Sequence, residues 1–259
     1  MQEDRGRLRF LGRPNTRVPR RLSRGVSILP SLFTLGNMFC GYACVVYAMR
    51  GEFETAAPFI GFAIVLDMLD GRIARMTGTA SDFGVEFDSL ADVISFGVAP
   101  AILSFAWGLQ PLGRIGWAVG FLFVSAAALR LARFNIQSAS GGDKRYFVGM
   151  PSPAAAAVPA ATVYAYPMGL LDYQHALFAL PMVIVPALLM VSTIRFRSFK
   201  TIDLQVRRPY TVLFLFAVSM VLVVWHTQYV LAGLAYFYLL SAFIGLALTR
   251  LRHRGQPGQ

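Results

Sequence analysis

Eight apolar stretches, each close to the roughly 20 residues that a helix needs to cross a bilayer, take up most of the 259-residue chain. They run 28–49, 53–71, 88–108, 115–135, 150–171, 175–194, 210–226 and 229–249. The connections between them are short and carry turn or charge signals, such as Arg50-Gly51-Glu52, Gln110-Pro111 and Arg207-Arg208-Pro209. No room is left for a separate soluble domain. Composition agrees: 14% of residues are charged and 56% apolar, against about 25% charged in a water-soluble domain. The expected fold is therefore all-α, a polytopic membrane helical bundle of eight transmembrane helices. The fifth stretch carries Pro151, Pro153, Pro159 and Pro167 and is expected to kink.

A net charge of +11 raises the question of nucleic acid, and the placement of the cations answers it. Eight arginines precede residue 28. Arg72 and Arg75 follow the second stretch; Arg130, Arg133, Lys144 and Arg145 follow the fourth; five cations from Arg195 to Arg208 follow the sixth; and Arg250, Arg252 and Arg254 end the chain. Only Arg50 and Arg114 fall on the other side. This is the positive-inside pattern, which puts both termini in the cytoplasm and leaves no single basic face for a nucleic acid. Three segments follow: a basic N-terminal segment at 1–27, a transmembrane domain at 28–250 that must hold any chemistry, and a C-terminal tail at 251–259. The first 25 residues are too polar for a signal peptide, so the first stretch is expected to be a retained span. The N-terminal arginines, interleaved with Leu8, Phe10, Leu11, Val18 and Leu22, suit either an interfacial segment on anionic lipid or a solvated topology signal.

Of 13 acidic residues, six lie between Asp67 and Asp92. Asp67, Asp70, Asp88 and Asp92 border or enter apolar helix, where an ionised group costs about 2.5–3.5 kcal/mol on insertion scales and marks a functional site by default. Asp67 and Asp70 are three apart and Asp88 and Asp92 four apart, so each pair shares one face of its helix. Two helices can then point four carboxylates at one space. Such a space needs cations, and all-oxygen ligands suit Mg²⁺ or Mn²⁺. Two ions would balance the charge, in the manner of the paired ions about 3.5–4 Å apart that serve displacement at phosphorus. With the N-terminus inside, both pairs sit at the cytoplasmic end of their spans.

The segment reads Asp67-Met-Leu-Asp70-Gly71-Arg-Ile-Ala74-Arg75, then eight residues, then Gly84-Val-Glu-Phe-Asp88-Ser-Leu-Ala-Asp92. It resembles the signature of the CDP-alcohol phosphatidyltransferase family, D-x-x-D-G-x-x-A-R, eight residues, G-x-x-x-D-x-x-x-D, and matches every fixed position. The resemblance implies that divalent metal held by the four aspartates polarises the pyrophosphate of a CDP-linked lipid while an alcohol attacks the lipid-side phosphorus and CMP leaves. It implies Asp92 as general base, and Gly71, Ala74, Arg75 and Gly84 as contacts of the CDP moiety. Gly71 and Gly84 would permit close approach of a nucleotide and Arg75 would grip a pyrophosphate; read singly, each glycine equally suits helix packing. Family members are often homodimers, and a bacterial-type cytoplasmic membrane is the expected location, with the site on its cytoplasmic face.

Further local features are similar to the phosphatidylserine synthase branch of that family: Pro30-Ser-Leu-Phe-Thr34-Leu-Gly36-Asn37, Asp92-Val-Ile-Ser95-Phe96-Gly97-Val-Ala-Pro100, Arg130-Leu-Ala-Arg133-Phe134-Asn135, and Phe147-Val-Gly149-Met150-Pro151-Ser152-Pro153. The reaction implied is CDP-diacylglycerol plus L-serine giving phosphatidylserine and CMP. Serine is a zwitterion and needs a cation for its carboxylate and acceptors for its ammonium. Arg130, Arg133, Asn135 and Ser152 are the candidates, the arginines serving equally as topology anchors. Asn37, deep in the first stretch, needs a partner there, either the CDP-lipid or another helix. Transfer to glycerol phosphate, inositol or another alcohol, or from an archaeal-type lipid donor, is the neighbouring alternative, and a cation-coupled carrier or channel the alternative of another class. Cys40 and Cys44 read as packing residues, Gly116 and Gly120 as a close helix contact, and Trp107, Trp117 and Trp225 as interfacial anchors.

Overall fold

The computed structural model describes residues 20–77, 81–139, 146–192, 195–197 and 226–254. Helix α1 (Arg20–Met49) and helix α2 (Phe53–Thr77) form an antiparallel pair turned at Gly51. α2 runs beyond the apolar stretch that announces it, so Asp67 and Asp70 lie inside the helix and not at its end. Next comes one rod built of α3 (Asp82–Asp92), a π-helical turn at Val93–Val98, α4 (Ala99–Ser104), a second π-helical turn at Phe105–Leu109 and a 3₁₀ turn at Gln110–Leu112. Helix α5 (Arg114–Ala139) returns along it. Helices α6 (Ser152–Ala165), α7 (Tyr173–Val191) and α8 (Thr227–Arg254) complete the bundle.

Among the described residues, four segments are long and apolar enough to cross a membrane: Ser31–Met49, Phe83–Leu112, Arg114–Gln137 and Tyr173–Val191. They coincide with the first, third, fourth and sixth stretches of the sequence. The seventh, 210–226, lies almost wholly outside the described residues, as do Trp225 and the first 19 residues. Large exposed apolar side chains, including Phe39, Trp117, Phe121 and Phe178, cover the outside of the bundle, as a lipid solvent requires.

Two expectations are corrected. The proline-rich fifth stretch is helical only over Ser152–Ala165: Pro151 is the N-cap of α6, Pro153 sits in its first turn, Pro159 lies inside it, and the helix stops at Ala165 before Pro167. Proline fits the first turn, where its missing N–H is no loss, and inside the helix, as at Pro159, it leaves one carbonyl without its intrahelical partner. α6 is consequently 14 residues, about 21 Å at 1.5 Å per residue. Its alanines and valines are nearly all buried, because small side chains let neighbouring helices approach closely. Trp107 is likewise no interfacial anchor. It is buried in the core and its Nε1 donates to Tyr166 O at 2.8 Å, while Leu170 N donates to Trp107 O at 2.7 Å. The extended backbone after α6 is thus satisfied by the second π-helical turn.

The G-x-x-x-G of α5 is used within the chain: a Cβ on Gly116 would run into the carbonyl of Leu109, and one on Gly120 would lie 4.0 Å from Ala101 O. Cys40 and Cys44 are buried free thiols. The described residues contain two short strands, β1 (Tyr146–Val148) and β2 (Arg195–Arg197), paired antiparallel with Phe147 opposite Phe196. They join the connection after α5 to the one after α7. Gly149, at φ +86, turns the chain from β1 into α6; a Cβ there would lie 2.5 Å from Met190 O. Met150 N then donates to Leu189 O at 3.0 Å, which fixes the start of α6 against the end of α7.

Candidate active site

The four aspartates converge from two helices. Carboxylate oxygens of Asp67, Asp70 and Asp88 lie within 4.8 Å of one another. Asp70 is buried and the other two are half-buried. Thr34 on α1 donates its Oγ1 to Asp70 Oδ2 at 3.0 Å. Asp92, one turn after Asp88, stands beside this trio with its Oδ1 accepting from Asn37 Nδ2 at 3.2 Å. Asp88 Oδ1 is buried without any hydrogen-bond partner. An orphaned carboxylate oxygen facing two more carboxylates fits a hard divalent cation, because buried like charges need an opposite charge and oxygen donors suit such an ion. Asp67, Asp70 and Asp88 are the residues that would hold it.

Arg130 on α5 supplies the opposing charge. It acts on both Asp67 and Asp92, its Nη1 donates to Ser152 Oγ at 2.7 Å, and its guanidinium lies over the Phe134 ring at 5.8 Å. Ser152 opens α6 and is buried, so the Gly149-Met150-Pro151-Ser152 turn delivers it to Arg130. The remaining residues of that group bond elsewhere. Arg133 Nη1 donates to Val191 O at 3.1 Å, which caps the last turn of α7 as basic side chains commonly do. Asn135 Nδ2 donates to Ser89 Oγ at 2.9 Å, and Ser89 Oγ donates to Val85 O at 2.9 Å, a tie between α5 and α3.

The two signature glycines differ. A Cβ on Gly71 would meet nothing within 4 Å, so no packing contact demands glycine there. Gly84 sits in the N-terminal turn of α3, where its N–H donates to the capping Ser81 Oγ at 3.1 Å and a Cβ would crowd that oxygen at 3.2 Å. The side chains of Ala74 and Arg75, on the last turns of α2, fall outside the described residues. Sequence reasoning missed Thr34 and Ser89 as members of the network, and Ser95, which it reads as a packing residue between membrane helices, bonds the Asn37 carbonyl instead. Thr34 had a signal, since it lies three residues before Asn37 on the same face of an apolar helix.

Comparison with known proteins places this constellation. The family model for CDP-alcohol phosphatidyltransferase matches residues 27–191. The CDP-diacylglycerol–serine O-phosphatidyltransferase of Helicobacter pylori is 42% identical over 182 residues, covering 68% of this chain and 74% of that protein. The protein of the same name from Mycobacterium leprae is 41% identical over 135 residues, 51% of this chain and 45% of that one. The archaetidylserine synthase of Methanothermobacter thermautotrophicus is 38% identical over 170 residues, 65% and 69% respectively. Match, signature and converging carboxylates together make this chain a member of the CDP-alcohol phosphatidyltransferase family.

Proposed function

We propose that this enzyme transfers the phosphatidyl group of CDP-diacylglycerol to L-serine, giving phosphatidylserine and CMP. The observation that carries the reading is the meeting, at one end of the bundle, of the Asp67, Asp70 and Asp88 oxygens with Asp92 and Arg130. The relatives named for serine transfer support the choice of alcohol. A divalent cation, when bound by the three carboxylates, supplies charge neutralisation and polarises a phosphoryl oxygen. Mg²⁺ or Mn²⁺ suits the donors, and two ions would balance four carboxylates.

The chain's own residues do the rest. Asp92 accepts the proton of the serine hydroxyl as its oxygen bonds to the lipid-side phosphorus and the bond from phosphorus to the CMP oxygen breaks. Arg130, held by Ser152, faces the serine carboxylate; Arg133 and Asn135 support the same side by fixing α5 to α7 and α3. Gly71 leaves open the space a nucleotide needs, with Ala74, Arg75 and Gly84 beside it in the signature. An apolar groove of about 580 Å³ runs between α2, α6 and α8, lined by Ile60, Val65, Ala157, Ala161, Leu231 and Leu234. Ile60 and Ile64, also in its lining, lie seven and three residues before Asp67 on the same face of α2, so the groove leads an acyl chain toward the carboxylates. The site is taken to face the cytoplasm, in a bundle of eight spans with both termini inside and working as a homodimer.

The test is CMP release by the purified protein with CDP-diacylglycerol and Mg²⁺ or Mn²⁺, adding L-serine, glycerol 3-phosphate or inositol separately and identifying the lipid formed. Serine-dependent release with phosphatidylserine as product is the expected result. Turnover with another alcohol alone overturns the serine assignment, and none with any acceptor despite bound metal favours a carrier.

A further inference from the structure

Asn37 is fully buried, precedes the family signature by 30 residues in the chain, and donates to Asp92 from α1. Its amide nitrogen donates to the Asp92 carboxylate at 3.2 Å, since an ionised carboxylate only accepts. The amide's other atom, Oδ1, is buried with no partner, so the side chain is not held by a second bond of its own. What holds it is its backbone. Ser95 Oγ donates to Asn37 O at 2.9 Å in a buried contact. That carbonyl is reached because Gly41, one turn later on α1, has no side chain: a Cβ there would lie 2.6 Å from Ser95 Oγ and 2.8 Å from Ser95 Cα. Asp92 and Ser95 are themselves one turn apart, and the π-helical turn that carries Ser95 begins immediately after Asp92. Irregular turns of this kind gather at functional sites.

We propose that Asn37 is a positioning residue for Asp92, clipped in place by Ser95 through the gap at Gly41, so that α1 sets where the proton-accepting carboxylate stands. The inference rests on the reading of Asp92 as proton acceptor. Asn37 therefore acts on turnover and not on the binding of either substrate, and Ser95 acts only through Asn37.

The experiment compares wild type with Asn37→Leu, Ser95→Ala and the double variant in the full chain. It measures kcat and both KM values on whichever acceptor the wild type uses, together with Mn²⁺ binding in the absence of substrate. Asn37→Leu is expected to lower kcat about tenfold to a hundredfold, as misplacement of a reacting group does, with both KM values within about twofold. Ser95→Ala is expected to lower kcat about threefold, the scale of one net hydrogen bond. The double variant is expected to be no slower than Asn37→Leu alone, with Mn²⁺ binding unchanged throughout. A raised KM for CDP-diacylglycerol with kcat retained would make Asn37 a substrate contact and overturn the proposal. Multiplying effects in the double variant, or lost Mn²⁺ binding, overturn it too. If Asn37→Leu does not fold, Ser95→Ala decides: reduced kcat at unchanged KM supports the clip and wild-type kcat removes it. Wild-type turnover with an acceptor other than serine overturns the serine reading and leaves this comparison intact, whereas no turnover on any acceptor overturns both.

Discussion

Thr34 Oγ1 donates to Asp70 Oδ2 at 3.0 Å in a buried contact between α1 and α2. Three residues later on the same helix face, Asn37 does the same for Asp92 on the rod. α1 contributes no carboxylate, yet its Thr34 and Asn37 each hold one from a different element.

Thr34→Val keeps the shape of the side chain and removes the donor. Outer partners of ligating groups are worth about tenfold to a hundredfold in metal affinity. The variant should bind Mn²⁺ about tenfold more weakly, read by titration, while kcat at saturating Mn²⁺ falls much less. Chelation should stop CMP release in both proteins and added Mg²⁺ or Mn²⁺ restore it; unchanged Mn²⁺ affinity in the variant would separate Thr34 from the metal site.

Asp92→Asn retains the size of the side chain and loses the proposed proton acceptor. A positioned general base contributes about 10²–10⁴-fold, so kcat should drop by that much while CDP-diacylglycerol still binds. Turnover near the wild-type level would remove Asp92 from the proton's path.

Gly71→Ala and Gly149→Ala should part company. At Gly71 the added methyl meets no protein atom, so thermal unfolding in detergent should be unchanged while the KM for CDP-diacylglycerol rises. At Gly149 it meets Met190 O at 2.5 Å in a backbone of φ +86, and destabilisation by more than about 1 kcal/mol is expected. Equal effects of both on unfolding would contradict the open space at Gly71.

Arg130→Gln removes the cation opposite Asp67 and Asp92 and its bond to Ser152. Hydrogen bonds to charged groups are worth about 1.5–3 kcal/mol, so the KM for serine should rise tenfold or more. A normal serine KM with lowered Mn²⁺ affinity would instead assign Arg130 to the carboxylate cluster alone.

The carboxylates were legible in the sequence because their information is local: pairs three and four apart, set in helices that otherwise exclude charge, leave little room for another reading. The long helices were legible for the same reason, since apolar length alone identifies them. What stayed hidden is tertiary. Nothing near Ser95 in the chain announces that its hydroxyl reaches the Asn37 carbonyl across 58 residues, or that Trp107 turns inward to serve Tyr166 O. The prolines of the fifth stretch were visible, but that Pro151 caps α6 and Pro153 enters its first turn, with Pro159 left inside the helix, depends on the Gly149 turn that precedes them. Arg133 and Asn135 matched a pattern of substrate groups, and their bonds to Val191 O and Ser89 show how polar residues at helix ends also serve assembly.

The β1–β2 ribbon makes the exits of α5 and α7 one mechanical unit. Arg133 grips Val191 O, Met150 N grips Leu189 O, and Ser152 follows two residues later against Arg130. A helix that carries none of the four aspartates thereby sets where Ser152 and Arg130 stand. Any tilt of α7 in a thicker or thinner bilayer would be levered through the ribbon onto Ser152 and Arg130, and from Arg130 onto the charge balance around Asp67 and Asp92.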